Sequence, residues 1–231
     1  MDGLGNDRRK CMYHYIEDKK FLKDMRRLCS DIVNQLVQRI NNDGQLYVKA
    51  HLVGSGARNM ITQNANEPID LDYNLCIIDA YDIYINDSNA IKEHIRKHFN
   101  AVLNRNGWGD CQDSTSALTT ELRYFTKGNN TEFKIDLAII QERNNAWFRL
   151  IHRKTGFVLY DQWYWNEAPQ STNLSHRTNI LKHNHLWKEV IDTYLEKKNM
   201  YLGRQDHNHP SFVIYIEAVN EVYYKYFYHS F

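Results

Sequence analysis

The chain has 231 residues, of which 42% are hydrophobic and 25% charged, a globular composition with room for one large domain or for one domain with a helical extension. The net charge of +1 does not indicate that the whole protein binds a long nucleic acid, although it does not exclude a local basic groove. No apolar run approaches the roughly 18 residues of a membrane span, and the polar start predicts no signal peptide. We therefore expect a cytoplasmic protein whose four cysteines are reduced thiols.

The first third of the chain predicts a helix, a strand and a glycine-containing turn. Apolar residues recur at helical spacing over residues 14–42, and the stretch 41–44 (NNDG) predicts the end of that helix. A strand over 46–53 leads into the turn Gly54-Ser55-Gly56. Residues 57–68 are polar and end in proline, which predicts a loop or a short helix followed by a loop.

The middle of the chain predicts a strand, a helix and a hairpin. The run Ile69–Ile78 alternates in its first half and places Asp70 and Asp72 on one face, opposite its apolar residues. A helix capped near Asp87 is predicted to run to about residue 105. Further strands are predicted at 117–125, at 131–140 with Asp136 opposite the apolar face, and within 146–159.

The last third of the chain predicts helices. One helix covers residues 173–201, with a break near 183–185, and another covers 211–228. The predicted fold class is α+β, with a mixed twisted β-sheet core flanked by helices and a C-terminal helical domain. The predicted domains are residues 1–165, the core with its N-terminal helix, and residues 166–231, the helical region.

Three acidic residues on predicted strands form the most informative pattern. Asp70 and Asp72 point the same way, roughly 6 to 7 Å apart by strand geometry, and Asp136 lies on a later strand. Carboxylate oxygens are the preferred ligands of hard divalent cations. Two ions held between such groups stabilise the attacking and leaving oxygens of a phosphoryl transfer. The pattern predicts a Mg²⁺ or Mn²⁺ site in which Asp136 is also the candidate general base.

The glycine-serine turn and two basic residues are candidates for binding the phosphates of a nucleotide. Gly54 lets the backbone approach phosphate oxygens closely, and Ser55 adds a hydroxyl donor. Arg58 follows three residues later. Lys134 precedes Asp136 by two residues on the same strand face and is a second candidate for a contact with a triphosphate.

Together these pieces resemble the nucleotidyltransferase superfamily, which includes DNA polymerase beta, poly(A) polymerases and cyclic-dinucleotide synthases. The resemblance covers roughly residues 46–140 and rests on the segments VGSGAR, IDLDYNL and KIDLAII. It implies that Asp70 and Asp72 bind metal, that Asp136 binds metal and acts as base, and that Gly54 and Ser55 hold the triphosphate. The implied reaction transfers a nucleoside monophosphate from a nucleoside triphosphate to a hydroxyl acceptor and releases pyrophosphate.

Several alternatives stay open at this point. The candidate acceptors are an RNA end, a small molecule such as an antibiotic, a protein side chain and another nucleotide. A non-catalytic member, for example a component of a toxin–antitoxin pair, is the alternative to an enzyme, and a nuclease is a weaker one. His94 and His98 have the spacing of a zinc site, but without an evident acidic or cysteine partner nearby in the sequence the pattern favours a solvated helix face.

Overall fold

The computed structural model describes residues 12–81, 87–168, 173–206 and 209–228. Its elements follow in this order: β1 (Tyr13–Tyr15), α1 (Lys19–Asp43), β2 (Leu46–Leu52), α2 (Gly54–Arg58), β3 (Thr62–Asn64), β4 (Ile69–Ala80), α3 (Ser88–Arg105), β5 (Gln112–Asp113), β6 (Leu118–Thr119), β7 (Phe133–Arg143), β8 (Ala146–Arg153), a 3-10 turn (Val158–Tyr160), β9 (Gln162–Glu167), α4 (Leu174–His183), α5 (Trp187–Gly203) and α6 (Ser211–Phe227). Within these ranges, no helix has both the length and the apolar character needed to cross a membrane.

The central sheet of the described chain has seven strands and is mixed. Its strands run in the order β2-β4-β7-β6-β5, while β8 pairs with β7 and β9 pairs with β8. The pairing of β4 with β7 is parallel and the other pairings are antiparallel. The helices and this sheet together confirm the predicted α+β class.

One face of β4 and β7 is apolar and buried. The odd-numbered positions from Ile69 to Leu75 and from Phe133 to Ile139 are 3% exposed or less. Helix α1 contributes a buried stripe that includes Met25 and Leu36, and its Ser30 hydroxyl hydrogen-bonds the hydroxyl of Tyr73 on β4 at 2.9 Å. Burial of this face on helices leaves the even-numbered positions of both strands on the opposite face.

Helix α1 begins five residues later than predicted. Asp18 caps it by accepting a hydrogen bond from the backbone N–H of Phe21 at 2.9 Å. The residues before the cap form β1, which pairs antiparallel with β3. The prediction of a helix from residue 14 was wrong because this pairing joins segments far apart in sequence. The predicted end was right, since Gly44 closes the helix at φ 81°.

The predicted hairpin over 117–140 is present only in part. Its first strand shrinks to β6, and beyond it the pairing with β7 continues as one isolated bridge between Arg123 and Phe133. The hydroxyl of Thr120 accepts a hydrogen bond from the backbone N–H of Ile135 at 3.0 Å. A side-chain oxygen therefore stands where a backbone carbonyl of a regular strand would accept, and the strand ends there. Of the range 146–159 predicted to hold one or two strands, β8 occupies the first part; β9 lies beyond it and was not predicted.

The chain divides into two compact units that are each discontinuous in sequence. Among the described residues, one consists of 18–59, 68–81 and 87–168; the other consists of 12–17, 60–67, 173–206 and 209–228. In the described part of the second unit, the core contains Leu181 from α4, Tyr194 from α5 and Val219 from α6. The break between α4 and α5 lies where the sequence predicted it. The predicted division into residues 1–165 and 166–231 stays a prediction.

The cysteines that the structure describes are free thiols. Cys29, Cys76 and Cys111 are all buried, and burial raises the pKa of each thiol. Cys11 lies outside the described residues. Buried neutral thiols behave as small apolar side chains, so these three contribute to packing.

A buried lysine joins helix α3 to the far edge of the sheet. Lys92 is 1% exposed and lies 2.5 Å from Asp113 Oδ1, and its ammonium also donates to the Ser114 carbonyl at 2.9 Å. His152 Nδ1 lies 2.6 Å from the other oxygen of Asp113. Burial alone raises the pKa of Asp113, but hydrogen bonds from Lys92 and His152 hold it below its ordinary value. The ion pair therefore fixes the β5–β6 edge onto α3.

Replacing Lys92 with methionine should destabilise the fold, because it leaves the buried carboxylate of Asp113 without its main counter-ion. We expect a loss of about 3 to 5 kcal/mol in the free energy of unfolding, measured by urea denaturation. Lys97→Met, on the exposed side of the same helix, is the matched control and should change stability little. Equal effects of the two substitutions would contradict the role assigned to the ion pair.

Candidate active site

The parallel register of β4 and β7 brings the predicted acidic residues together. Asp72 pairs directly with Asp136, and Asp70 pairs with Lys134. Paired residues of neighbouring strands share a face and lie about 5 Å apart. Asp70, Asp72 and Asp136 therefore lie on one face of two adjacent strands, opposite the buried apolar face.

Lys134 lies between the carboxylates. Its ammonium nitrogen is 3.4 Å from Asp70 Oδ1 and 4.0 Å from Asp136 Oδ2. The side chains of Asp70, Asp136 and Lys134 keep 47%, 24% and 27% of their surface exposed, so this face is open to a ligand. A lysine bridging two acids balances part of their charge, and its ammonium is also available to a phosphate that enters the site.

Asp136 is held by a hydroxyl from the neighbouring strand. Thr119 on β6 pairs with Asp136 and donates from its Oγ1 to Asp136 Oδ1 at 2.6 Å. The Ser114 hydroxyl lies 3.1 Å from the same Thr119 oxygen. This contact fixes the orientation of the carboxylate and occupies one of its oxygens, while Oδ2 is the oxygen near Lys134.

The carboxyl group of Asp72 has a strongly raised pKa. Burial and, to a lesser extent, the carboxylates of Asp136 and Asp70 raise its pKa to about 6, against the opposing charges of Arg149 and Lys134. Three acids on one face repel one another, and each is stabilised by any cation that enters between them. A perturbed acid on an open, charged face is typical of a functional site.

The glycine turn touches Asp72. The backbone N–H of Val53 donates to the Asp72 carbonyl at 2.8 Å, which ties the end of β2 to β4 at this point. Gly54 then takes a left-handed conformation at φ 63°, and a Cβ added there would lie 2.5 Å from Asp72 Oδ2. Both facts favour glycine at this position, because a side chain there would strain the backbone and push the Asp72 carboxylate aside. The turn predicted to approach phosphates is therefore next to the acidic face.

The other predicted phosphate ligands lie on α2. Ser55 follows Gly54 in this short helix, and Arg58 is its last residue. Both are partly exposed, and their roles toward a phosphate stay predictions. Asn59 caps the end of this helix: it takes a left-handed conformation at φ 57° and donates its backbone N–H to the Ser55 carbonyl.

Sequence reasoning missed two residues of this site. Thr119 lies on a strand that the sequence predicted, but the alternation of residues does not show which residue of the neighbouring strand it pairs with. Arg149 on β8 pairs with Ile140 of β7, and its charge counters the rise in the pKa of Asp72. Neither residue belongs to a recognisable motif, so the signal for both lies in strand pairing.

No protein-family description matches the sequence, and no curated protein matches it either. Solved structures do match. The chain is 14% identical to E. coli MS115-1 CdnC with ATP, with a TM-score of 0.56 over 91% of this chain and 62% of that one. It is 15% identical to CdnC of the same strain in its complex with HORMA-deltaN, with a TM-score of 0.52 over 88% and 60%.

A third solved structure is the Elizabethkingia meningoseptica CdnE cyclic dinucleotide synthase with GTP and Apcpp, 12% identical, with a TM-score of 0.49 over 83% of this chain and 68% of that one. At such identities the likeness to CdnC shows the fold, and the protein has the α+β nucleotidyltransferase fold predicted from its sequence. The chain spans less than two thirds of the length of the matched CdnC chains.

Asp72→Asn should stabilise the protein when no metal is available. The folded-state pKa of about 6 exceeds the ordinary value of about 4, so the carboxylate of Asp72 disfavours the folded state as pH rises through that window. In a chelating buffer at pH 7.5 we expect a gain of about 1 to 2 kcal/mol in the free energy of unfolding, and no gain at pH 4. Asp31→Asn, at an exposed position of α1, is the control; a gain for Asp72→Asn that persists at pH 4 contradicts the assignment.

Proposed function

We propose that the protein is a metal-dependent nucleotidyltransferase. It binds a nucleoside triphosphate with Mg²⁺ or Mn²⁺ at the face formed by Asp70, Asp72 and Asp136, and it transfers the nucleoside monophosphate to a hydroxyl acceptor. The observation that carries this proposal is the register that sets Asp72 beside Asp136 with Asp70 two residues away. The shared fold with CdnC supports it.

The acidic face fits hard divalent cations. It offers three carboxylates in one place, and the raised pKa of Asp72 reflects burial together with negative charge that neighbouring groups do not fully balance. Asp70, Asp72 and Asp136 are the residues that would hold the ions. When bound, such ions bind substrate phosphates and stabilise the charge on the attacking and leaving oxygens.

Asp136 is suited to the general-base role. The Thr119 hydroxyl donates to its Oδ1, which orients the carboxylate and leaves Oδ2 without that contact. In the proposed reaction, the acceptor oxygen forms a new bond to the α-phosphorus. The bond from that phosphorus to the bridging oxygen breaks, and pyrophosphate leaves with the electron pair. Asp136 takes the proton of the acceptor hydroxyl.

The basic residues and the turn are proposed to bind the triphosphate. Gly54 allows close approach of the backbone beside Asp72, and Ser55 and Arg58 follow on α2. Lys134 contributes a charge that bridges the acids. ATP is the first nucleotide to test, because it is the nucleotide in the CdnC structure. The acceptor classes left open by the sequence remain an RNA end, a small molecule, a protein side chain or a second nucleotide.

Asp136→Asn should lower nucleotidyl transfer by about 10² to 10⁴-fold, the usual contribution of a general base. The assay incubates the protein with labelled triphosphates, Mg²⁺ or Mn²⁺ and cell extract, and mass spectrometry identifies what gains a nucleotide. Glu142→Gln, an exposed position on the same strand, is the control and should keep full activity. Transfer that survives in both Asp136→Asn and Asp70→Asn would refute the assignment of this acidic face as the active site.

Gly54→Ala should abolish metal-dependent nucleotide binding, because the added methyl group displaces the Asp72 carboxylate. Gly44→Ala is matched to it: Gly44 also has a positive φ, but a Cβ there meets nothing within 4 Å. Both substitutions carry a backbone penalty of about 1 to 2 kcal/mol, which isolates the effect on the site.

Thermal denaturation with each nucleoside triphosphate, with and without Mg²⁺, measures this binding. A metal-dependent rise in melting temperature in the wild type and in Gly44→Ala, but not in Gly54→Ala, supports the proposal. The absence of a shift with every triphosphate would favour the non-catalytic binding module instead.

A further inference from the structure

A second cluster of potential metal ligands lies where helices α1 and α3 meet. Asp43 is the last residue of α1, and His94 and His98 lie one turn apart on α3. His94 Nε2 is 3.4 Å from Asp43 Oδ2, and His98 Nε2 is 3.8 Å from Asp43 Oδ1. One ligand atom from each residue lies within 4.8 Å of the others.

The sequence context of the two histidines favoured a solvated helix face, but the structure buries most of both side chains. Their side chains are 13% and 10% exposed, and their rings lie 4.5 Å apart between centroids. The acidic partner missing from the local sequence comes from Asp43, which is about 50 positions earlier in the chain. The tertiary packing of α1 on α3 therefore completes a set that the sequence showed in part.

The ligand set and its spacing suit zinc. Two imidazoles and a carboxylate are ligands that Zn²⁺ takes in catalytic sites, with bond lengths near 2.0 to 2.2 Å. Tetrahedral geometry at those lengths separates ligand atoms by roughly 3.3 Å. The distances of 3.4 and 3.8 Å run from the two histidines to different oxygens of Asp43. One ligand atom from each residue fits within 4.8 Å, so side-chain rotations have to draw the set together by up to about 1.5 Å to reach that geometry.

Buried nitrogen atoms provide an independent sign of a ligand. His94 Nε2 and His98 Nδ1 are buried and make no hydrogen bond among the described residues. An unsatisfied buried nitrogen costs free energy, and coordination of His94 Nε2 removes that cost there.

The cluster opens onto a cleft of about 420 Å³ whose lining includes Asp43, His98, Arg39, Gln38 and Arg105. A set of three protein ligands leaves a fourth position of a tetrahedral ion vacant. The cleft gives that position access to water or to a small anion, and the two arginines favour an anion.

We propose that Asp43, His94 and His98 form a zinc site, with a fourth position open to the cleft between α1 and α3. This site is separate from the acidic face. Asp43 lies just before β2, whose first residue pairs with Ala80 at the far end of β4, about 25 Å along the strand from Asp72 at 3.3 Å per residue. The proposal does not depend on nucleotidyl transfer.

The test measures zinc binding to the full chain after treatment with a chelator and desalting. Calorimetry with zinc chloride is carried out in excess Mg²⁺, which competes for the carboxylates of the acidic face. It should give one high-affinity saturable site per chain, because Mg²⁺ disfavours nitrogen ligands and does not displace zinc from them. Co²⁺ used in place of zinc should give the visible absorption of a four-coordinate ion. His94→Gln, His98→Gln and Asp43→Asn should each weaken zinc binding at least about tenfold.

Two control variants define the result. His176→Gln removes an exposed histidine of α4 and should leave the zinc affinity unchanged. Asp136→Asn should also leave it unchanged, which excludes the acidic face as the zinc site. Circular dichroism confirms that each variant is folded. A wild-type protein without saturable zinc binding or a Co²⁺ spectrum would overturn the proposal, as would undiminished zinc affinity in folded His98→Gln.

Discussion

The parallel pairing of β4 with β7 is the constraint on which the rest of the site depends. Each odd-numbered apolar residue of one strand faces another across the pair, such as Leu71 with Ile135, and all are buried. A slip of one residue would turn the apolar set outward and the acids inward. The burial that builds the core therefore also sets Asp72 beside Asp136, and the position of the acids follows from hydrophobic packing.

That arrangement places like charges on neighbouring strands at a cost in stability, visible in the raised pKa of Asp72. The chain reduces the cost locally. Lys134 bridges two of the acids, Thr119 donates to Asp136, and the charge of Arg149 opposes the rise at Asp72. A protein selected for stability alone has no reason to keep three acids on one open face, whereas a site that binds cations needs them there.

The sequence predicted those features that depend on local pattern. The alternation over 69–78 gave the strand and its two faces, and the glycine at position 54 gave the turn that the structure sets against Asp72. What it missed depends on contacts between distant segments. The β1–β3 pair joins residues about 50 positions apart, and Thr119 and Arg149 reach the site through strand register. A periodic pattern shows which face a residue occupies but not which strand lies beside it.

The same distinction explains the histidine pair. Their spacing of four residues was visible as a helical pattern, but the solvated face it favoured was wrong because α1 packs over them and supplies Asp43. The two candidate cation sites then differ in donor chemistry. Three carboxylates on the sheet offer hard oxygen ligands, which suit Mg²⁺ or Mn²⁺, whereas two imidazoles and one carboxylate suit zinc. Zinc generally binds a given site more tightly than Mn²⁺, and ligand type is one of the means by which proteins separate such ions. The different donor sets near the two ends of β4 therefore favour a different ion at each site.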